Sequence, residues 1–134
     1  MKATYWNGLT DEPLESEVGT VDDLVALCQS VAGSRSERGL SAVELQHGNG
    51  ASVSLSFDDG RAFLVWIDPR GDAYSSVGGD FENGLAFDYM GSHSEAPAAS
   101  LIPFVDAIAA LSAFLATGSP ADAGVSFVHD GTSN

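Results

Sequence analysis

The sequence predicts an α+β fold, with a mostly antiparallel sheet of about six to seven strands and two helices packed on one face. Short stretches of strand-forming residues are separated by tight turns rich in Gly, Asn and Asp, which is typical of hairpin-linked strands. Two further segments carry apolar residues at helical spacing. The chain lacks the regular alternation of strand and helix that indicates a parallel sheet.

The first strand and the first helix lie in the first 33 residues. Residues 3–6 are rich in side chains that suit a pleated sheet. Thr20 lies three residues before Asp23, and this spacing resembles a capping box. Apolar residues then recur at helical spacing as far as Gly33, so we predict a helix over 20–32.

A strand meander occupies the centre of the chain. Its strand segments are residues 42–46, 53–57, 62–67, 74–77 and 85–89. Tight turns at 48–50, 58–60 and 68–71 connect the first four segments, because Gly and Asn tolerate the positive φ angles that such turns need. The third segment is a continuous apolar run, which indicates a central strand. It carries Phe63 and Trp66.

A second helix and a short last strand complete the predicted fold. Pro103 suits the first turn of a helix, and Gly118 ends it. Its apolar stripe comprises Phe104, Ile108, Leu111, Phe114 and Leu115. The last strand is expected over 125–128.

The remaining segments are predicted to be connections within a single domain that spans residues 1–134. They comprise an acidic loop over 10–19, a polar connection over 34–39, a Gly-rich link over 78–84, an irregular loop over 90–101 and a loose tail over 130–134. Since 134 residues is typical of one domain and no composition change marks a boundary, a second domain is not expected.

The net charge of −14 excludes several classes of partner. No Lys or Arg follows Arg70, and residues 10–23 carry only acidic charges. Such a surface repels phosphate, so we expect neither nucleic acid nor an anionic membrane as partner. Two interpretations remain open: the charge keeps the protein dispersed, or it steers a basic protein towards it. The chain shows no apolar run of membrane-spanning length and no secretory signal core, so we expect a cytoplasmic location.

No catalytic constellation is recognisable. His93-Ser94-Glu95 matches half of the zinc deaminase signature, but the Pro-Cys-x-x-Cys half is absent. The single cysteine, Cys28, falls on the apolar stripe of the first predicted helix, where a core role is expected. The three histidines are scattered along the chain, and neither a nucleophile elbow nor a phosphate-binding loop is present. We therefore expect a non-enzyme with no metal, cofactor or small-molecule substrate.

Several segments of the chain form a recognisable pattern. The most specific are Asp88–Gly91 with Glu95 and the segment Ser100–Pro103, and the others are Tyr5-Trp6, the helix after Thr20, Val65–Asp72 and Phe114–Gly118. With these segments the chain resembles, over positions 2–128, the Imm1 immunity family of bacterial polymorphic toxin systems. The resemblance implies a protein that binds and neutralises a cognate toxin domain, often a nucleic-acid deaminase such as a DNA cytosine deaminase. The charge agrees, since a toxin domain that acts on DNA tends to be basic.

The expected toxin-binding surface lies on loops at one rim of the sheet, where acidic residues accompany large side chains. The candidate contact residues are Asp68, Asp72, Tyr74, Asp80, Glu82, Asp88, Tyr89, Met90, Ser92, His93 and Glu95. Two alternatives to an immunity protein stay open at this point. One is an acidic protein-binding or regulatory module without a toxin partner, and the other is an enzyme of unrecognised type.

Overall fold

Among the residues that the structure describes, eight strands form one sheet and two more form a separate hairpin. The computed structural model describes residues 1–33, 39–78 and 80–129, with only the backbone of residues 122 and 123. The strands in this part of the chain are β1 (Lys2–Asn7), β2 (Glu12–Glu17), β3 (Val43–Gln46), β4 (Ser52–Phe57), β5 (Arg61–Ile67), β6 (Ala73–Val77), β7 (Leu85–Tyr89), β8 (Ser92–Ala96), β9 (Ile102–Pro103) and β10 (Ser126–His129). The helices are α1 (Val21–Ala32) and α2 (Phe104–Thr117).

The main sheet is antiparallel and runs in the order β10-β6-β5-β4-β3-β1-β2, with β9 paired to the start of β5. The α+β prediction is therefore confirmed, with eight strands in the sheet where six to seven were expected. The apolar run in β5 lies inside the sheet between β4 and β6, as a central strand should.

Helix α1 begins with the predicted capping box. The Thr20 hydroxyl accepts a hydrogen bond from the Asp23 N–H at 3.1 Å. The Asp23 carboxylate accepts bonds from the N–H groups of Gly19 (3.0 Å) and Thr20 (3.2 Å). The Gly19 bond is the largest influence and, with the Thr20 bonds, holds the pKa of Asp23 below its ordinary value despite some desolvation.

The predicted acidic loop over 10–19 is wrong, because β2 lies within it and pairs with β1 along six residues. Its Glu-rich sequence with Pro13 has low strand propensity. The strand forms at the edge of the sheet, where outward charges and a proline are tolerated because one side needs no pairing. Inward, Leu14 and Ser16 face the same side as Tyr5 and Ala3 of β1.

The helices cover one face of the sheet, as expected. Leu24 and Val31 of α1 and Leu111 and Phe114 of α2 are fully buried in the same cluster as the inward side chains of β1, β3, β4 and β5. Trp66 packs against this cluster from β5. Helix α2 ends at Thr117, and the following Gly118 caps it in the left-handed conformation.

The segment 85–96 departs from the predicted meander. Strand β7 leaves the sheet and pairs with β8, so the loop predicted over 90–101 contains a strand and the hairpin tip. This hairpin packs through Leu85, Phe87 and Ala96 into a second apolar cluster, against which Phe63 of β5 packs. Phe63 belongs to the face of β5 opposite Trp66, so the hairpin covers part of the face that the helices leave open.

The remaining predictions fall partly beyond the described residues. Strand β10 confirms the expected last strand and pairs with β6 at the sheet edge. The connection over 34–39 lies outside the described residues except for Gly39, and the tail over 130–134 lies wholly outside them.

In the described part of the chain, neither helix has the length and apolar composition that a membrane-spanning helix needs.

Candidate binding surface on the open face of the sheet

The face of the sheet opposite the helices carries a row of serines beside a row of apolar side chains. On β4, Ser52, Ser54 and Ser56 lie on this face, while Val53, Leu55 and Phe57 point towards the helices. Their cross-strand neighbours on β5 are Ile67, Val65 and Phe63. Because strands alternate their side chains between faces, the three serines lie together on one side, and neither they nor their three neighbours on β5 carry a charge. This face thus offers a neutral strip that the hairpin covers only in part.

A groove of about 180 Å³ lies between this strip and the β7–β8 hairpin. Phe87, Tyr89 and Ser94 of the hairpin line one side, opposite the serine and apolar rows. Glu44 of β3 also lines the groove and is the only carboxylate among its described lining residues. Tyr89 is 42% exposed and Ile67 40% exposed, so the groove opens to solvent between two large side chains.

Tyr89 and Glu44 connect the hairpin to the sheet. The Tyr89 hydroxyl donates a hydrogen bond to Glu44 Oε2 at 3.2 Å. Partial burial is the main cause that raises the pKa of Tyr89, and the negative charge of Glu44 and their hydrogen bond raise it further. The phenol therefore stays protonated at neutral pH and acts as a donor.

The hairpin tip is held by Asp88 and Trp6. Met90 and Gly91 both have positive φ, 49° and 89°, as a two-residue hairpin turn of type I′ requires. The Asp88 carboxylate accepts the Gly91 N–H at 2.8 Å. The Trp6 indole lies so close to Gly91 that an added Cβ would approach Trp6 Cζ2 at 3.1 Å. The tip is thus fixed against β1 rather than forming the irregular loop that the sequence suggested.

The predicted contact residues on this hairpin divide into three groups. Asp88 is 1% exposed, so its side chain serves the turn and is not part of the accessible surface. Tyr89 faces the groove, and Met90 at the tip is half-buried. Ser92, His93 and Glu95 are exposed on β8, and the His93 and Glu95 side chains lie 3.0 Å apart.

Asp68 and Asp72 belong to the turn between β5 and β6. Asp68 is buried, and its carboxylate accepts the N–H groups of Arg70 (2.9 Å) and Asp72 (3.0 Å). Burial raises the pKa of Asp68, but the hydrogen bonds from Asp72 and Arg70, together with the Arg70 charge, outweigh it and lower the pKa overall. Asp72 lies 3.5 Å from the Arg70 guanidinium and 3.7 Å from His129. Of the two acids, Asp72 is the more accessible.

Tyr74 lies on the opposite face of the sheet from Tyr89. It pairs across strands with Trp66, and the two rings stack with centroids 4.8 Å apart. Phe127 of β10 packs against Trp66, and His129 against Tyr74. These rings form an aromatic group on the helix side, so the structure separates Tyr74 from the other tyrosine of the predicted site.

Asp80 and Glu82 are exposed on the link before the hairpin. Arg61 holds this link, because its guanidinium donates to the Asn83 carbonyl at 2.6 Å while it pairs with Asp58. The Asp58 hydrogen bond is the main cause that raises the pKa of Arg61. Asp80 and Glu82 therefore lie on a link that Arg61 anchors at Asn83.

Sequence reasoning missed the groove itself. Glu44 and the rows on β4 and β5 were assigned to strands without a surface role. One feature of the sequence does indicate a second covered surface. The run from Ala62 to Ile67 in β5 is apolar on both faces, whereas the helices cover only one face of the sheet. The serines of β4 on the other side indicate a face that is neither charged like a solvated surface nor apolar like a core.

The described residues include no group of three or more His, Cys, Asp and Glu side chains that could hold a metal ion. Cys28 is buried, and burial raises the pKa of its thiol to about 11, so it is not a reactive thiolate.

Comparison with protein-family models identifies a family for this chain. No curated protein matches the chain. The family model described as Immunity protein Imm1 matches residues 13–125, which is most of the chain and includes α1, the meander, the hairpin and α2. The family implies an immunity protein directed against a toxin. The chain belongs to the Imm1 family of immunity proteins.

Proposed function

We propose that this protein neutralises a toxin domain of the nucleic-acid deaminase class, most specifically a DNA cytosine deaminase, by binding it through the open face of the sheet. In this mechanism the protein is not an enzyme. It covers the toxin's active site or substrate groove within the cytoplasm of the producing cell. Membership of the Imm1 family is the observation that carries the immunity role.

The charge supports a toxin that acts on nucleic acid. A domain that binds DNA phosphates presents cations, and a −14 inhibitor has the complementary sign. Complementary charge speeds encounter and suppresses wrong partners, with association rate constants up to about 10⁸–10⁹ M⁻¹s⁻¹ at low salt. Acids on the inhibitor can also occupy the positions that phosphates take in the toxin's groove.

The geometry supports the open face as the contact surface. It combines an exposed aromatic anchor, Tyr89, with an apolar groove, which is the combination found in energetically important interface centres. The sheet and the turn at Gly91 hold the hairpin before binding, so little ordering cost is expected. Around this centre, Met90, Ser92, His93 and Glu95 are proposed contacts.

The acids on the two neighbouring segments are proposed to act mainly at the periphery. Asp72, Asp80 and Glu82 are at least partly exposed and supply charge that steers the toxin. Asp68 and Asp88 are proposed to shape the turn and the hairpin that carry these contacts. Tyr74, on the helix side, is proposed to support β6 rather than to touch the toxin.

The experiment that tests the function uses the purified cognate toxin domain. Deamination of cytosine in a single-stranded DNA oligonucleotide is measured with rising amounts of the purified protein. We expect activity to fall to zero at one equivalent. Undiminished activity, with no complex on size exclusion, would contradict an immunity role. A cognate toxin that this protein inhibits, but that does not deaminate cytosine, would contradict only the deaminase assignment.

A further inference from the structure

The Glu44 carboxylate lies on the wall of a mostly apolar groove. Its hydrogen-bond partner there is the neutral phenol of Tyr89. It lies on β3 between Thr4 of β1 and Ser54 of β4 in the sheet. Among the described residues, the Tyr89 hydroxyl is its hydrogen-bond donor. A carboxylate has about four acceptor positions, so one phenolic hydrogen bond leaves most of them to solvent or to a partner.

The cations of the described part of the chain are engaged elsewhere. Lys2, on the same face as Glu44, lies 3.1 Å from Glu15. Arg61 pairs with Asp58, and Arg70 with the acids of its own turn. The charge of Glu44 is therefore not balanced by a described side chain of this protein.

The groove has the shape and lining for a long side chain that ends in a cation. Val65, Ile67 and Phe87 provide apolar contacts for a methylene stem, and the serines of β4 offer hydroxyls along the same wall. Tyr89 lines the same groove as the carboxylate, and an aromatic ring is an attractive surface for a cation. A planar guanidinium can bind a carboxylate through two parallel hydrogen bonds and stack on a ring, whereas an ammonium ion can do neither.

We propose that the groove receives an arginine side chain of the toxin, whose guanidinium binds Glu44 and stacks on Tyr89. The proposal rests on the proposed function, because it specifies the partner chemistry at that surface. Charge complementarity between a −14 protein and a basic toxin argues for a cationic rather than a neutral occupant. The Tyr89 hydroxyl then shares Glu44 with the incoming guanidinium.

The first arm of the test uses the wild-type protein and a blocked peptide, so it does not depend on the toxin. ¹⁵N-labelled protein is titrated with acetyl-Gly-Arg-Gly-amide and with its citrulline analogue, which keeps the shape but lacks the charge. We expect weak, saturable binding of the arginine peptide, with shifts at the amides of residues 44, 65 and 89, and binding of citrulline at least about tenfold weaker. Equal binding of both peptides, shifts elsewhere or no binding would overturn the proposal.

The second arm uses matched charge variants. Glu44→Gln should weaken binding of the arginine peptide about tenfold and speed dissociation of the toxin complex. Glu12→Gln removes the same charge from exposed β2 outside the groove and should change neither. If the toxin binds and both variants behave alike, the arginine proposal is wrong while the immunity function stands. If the wild-type protein fails to bind the toxin, the function fails, and the peptide titration still decides the chemistry of the groove.

Discussion

Substituting Gly91 by Ala tests whether the hairpin tip is docked on β1. Gly91 has φ of +89°, a conformation that costs a residue with a Cβ about 1–2 kcal/mol. The new methyl would also lie 3.1 Å from Trp6 Cζ2 and 3.2 Å from Trp6 Cε2, so the indole must move by a few tenths of an ångström. Overpacking of this kind adds about 1–3 kcal/mol, which gives an expected loss of about 2–5 kcal/mol in the free energy of unfolding.

Gly60→Ala provides the matched control. Gly60 has φ of +87°, and no atom lies within 4 Å of a Cβ added there. The free energy of unfolding of this variant should therefore fall only by the backbone contribution, about 1–2 kcal/mol. Urea unfolding followed by tryptophan fluorescence measures both losses of stability. The difference between the two losses is the energetic cost of the added methyl group against Trp6. Equal losses in the two variants would refute the docking of the tip on Trp6.

Three further predictions concern the core, the helix cap and the acidic link. Leu111→Ala should cost about 2–5 kcal/mol in urea unfolding, because the side chain is fully buried between α2 and the sheet; a loss below about 0.5 kcal/mol would mean that the helix face is assigned wrongly. Because the folded-state pKa of Asp23 is lowered, its carboxylate contributes stability that is present above its unfolded pKa and lost as the pH falls through the folded pKa. Asp23→Asn should remove this part of the acid-side slope of stability against pH, and an unchanged slope would contradict the cap assignment. Asp80→Asn with Glu82→Gln should slow association with the toxin and flatten its dependence on salt, as surface-plasmon rate constants at two ionic strengths would show; an unaltered association rate would place the steering charges elsewhere.

Local signals in the sequence were sufficient for most of the fold. The capping box at Thr20 defines the start of α1 because both hydrogen bonds lie within one turn of chain. The turn at 48–50 and the apolar run in β5 likewise depend on neighbouring residues only. Strand β2 was missed because its acids and Pro13 are poor strand formers, and only its place at the sheet edge makes them acceptable.

Long-range contacts explain what sequence reasoning could not place. Strand β8 has a polar sequence, and its strand conformation depends on pairing with β7 and on the packing of Phe87 near Phe63, ring centroids 6.3 Å apart. Tyr74 and Tyr89 appeared equivalent in sequence, but they lie on elements that present them to opposite faces. Glu44 had no distinguishing feature until the hairpin placed the Tyr89 hydroxyl beside it.

The central claim is that the toxin binds the open face of the sheet, and dissociation rates test it most directly. Tyr89→Ala removes the exposed aromatic side chain beside the groove. Val105→Ala removes apolar surface from α2 on the helix side, where Val105 is 72% exposed. We expect the complex with the cognate toxin domain to dissociate at least about tenfold faster for Tyr89→Ala and at the wild-type rate for Val105→Ala. A wild-type rate for a correctly folded Tyr89→Ala protein would contradict the account and place the interface on another surface, with the acidic stretch over 10–23 as the first to examine.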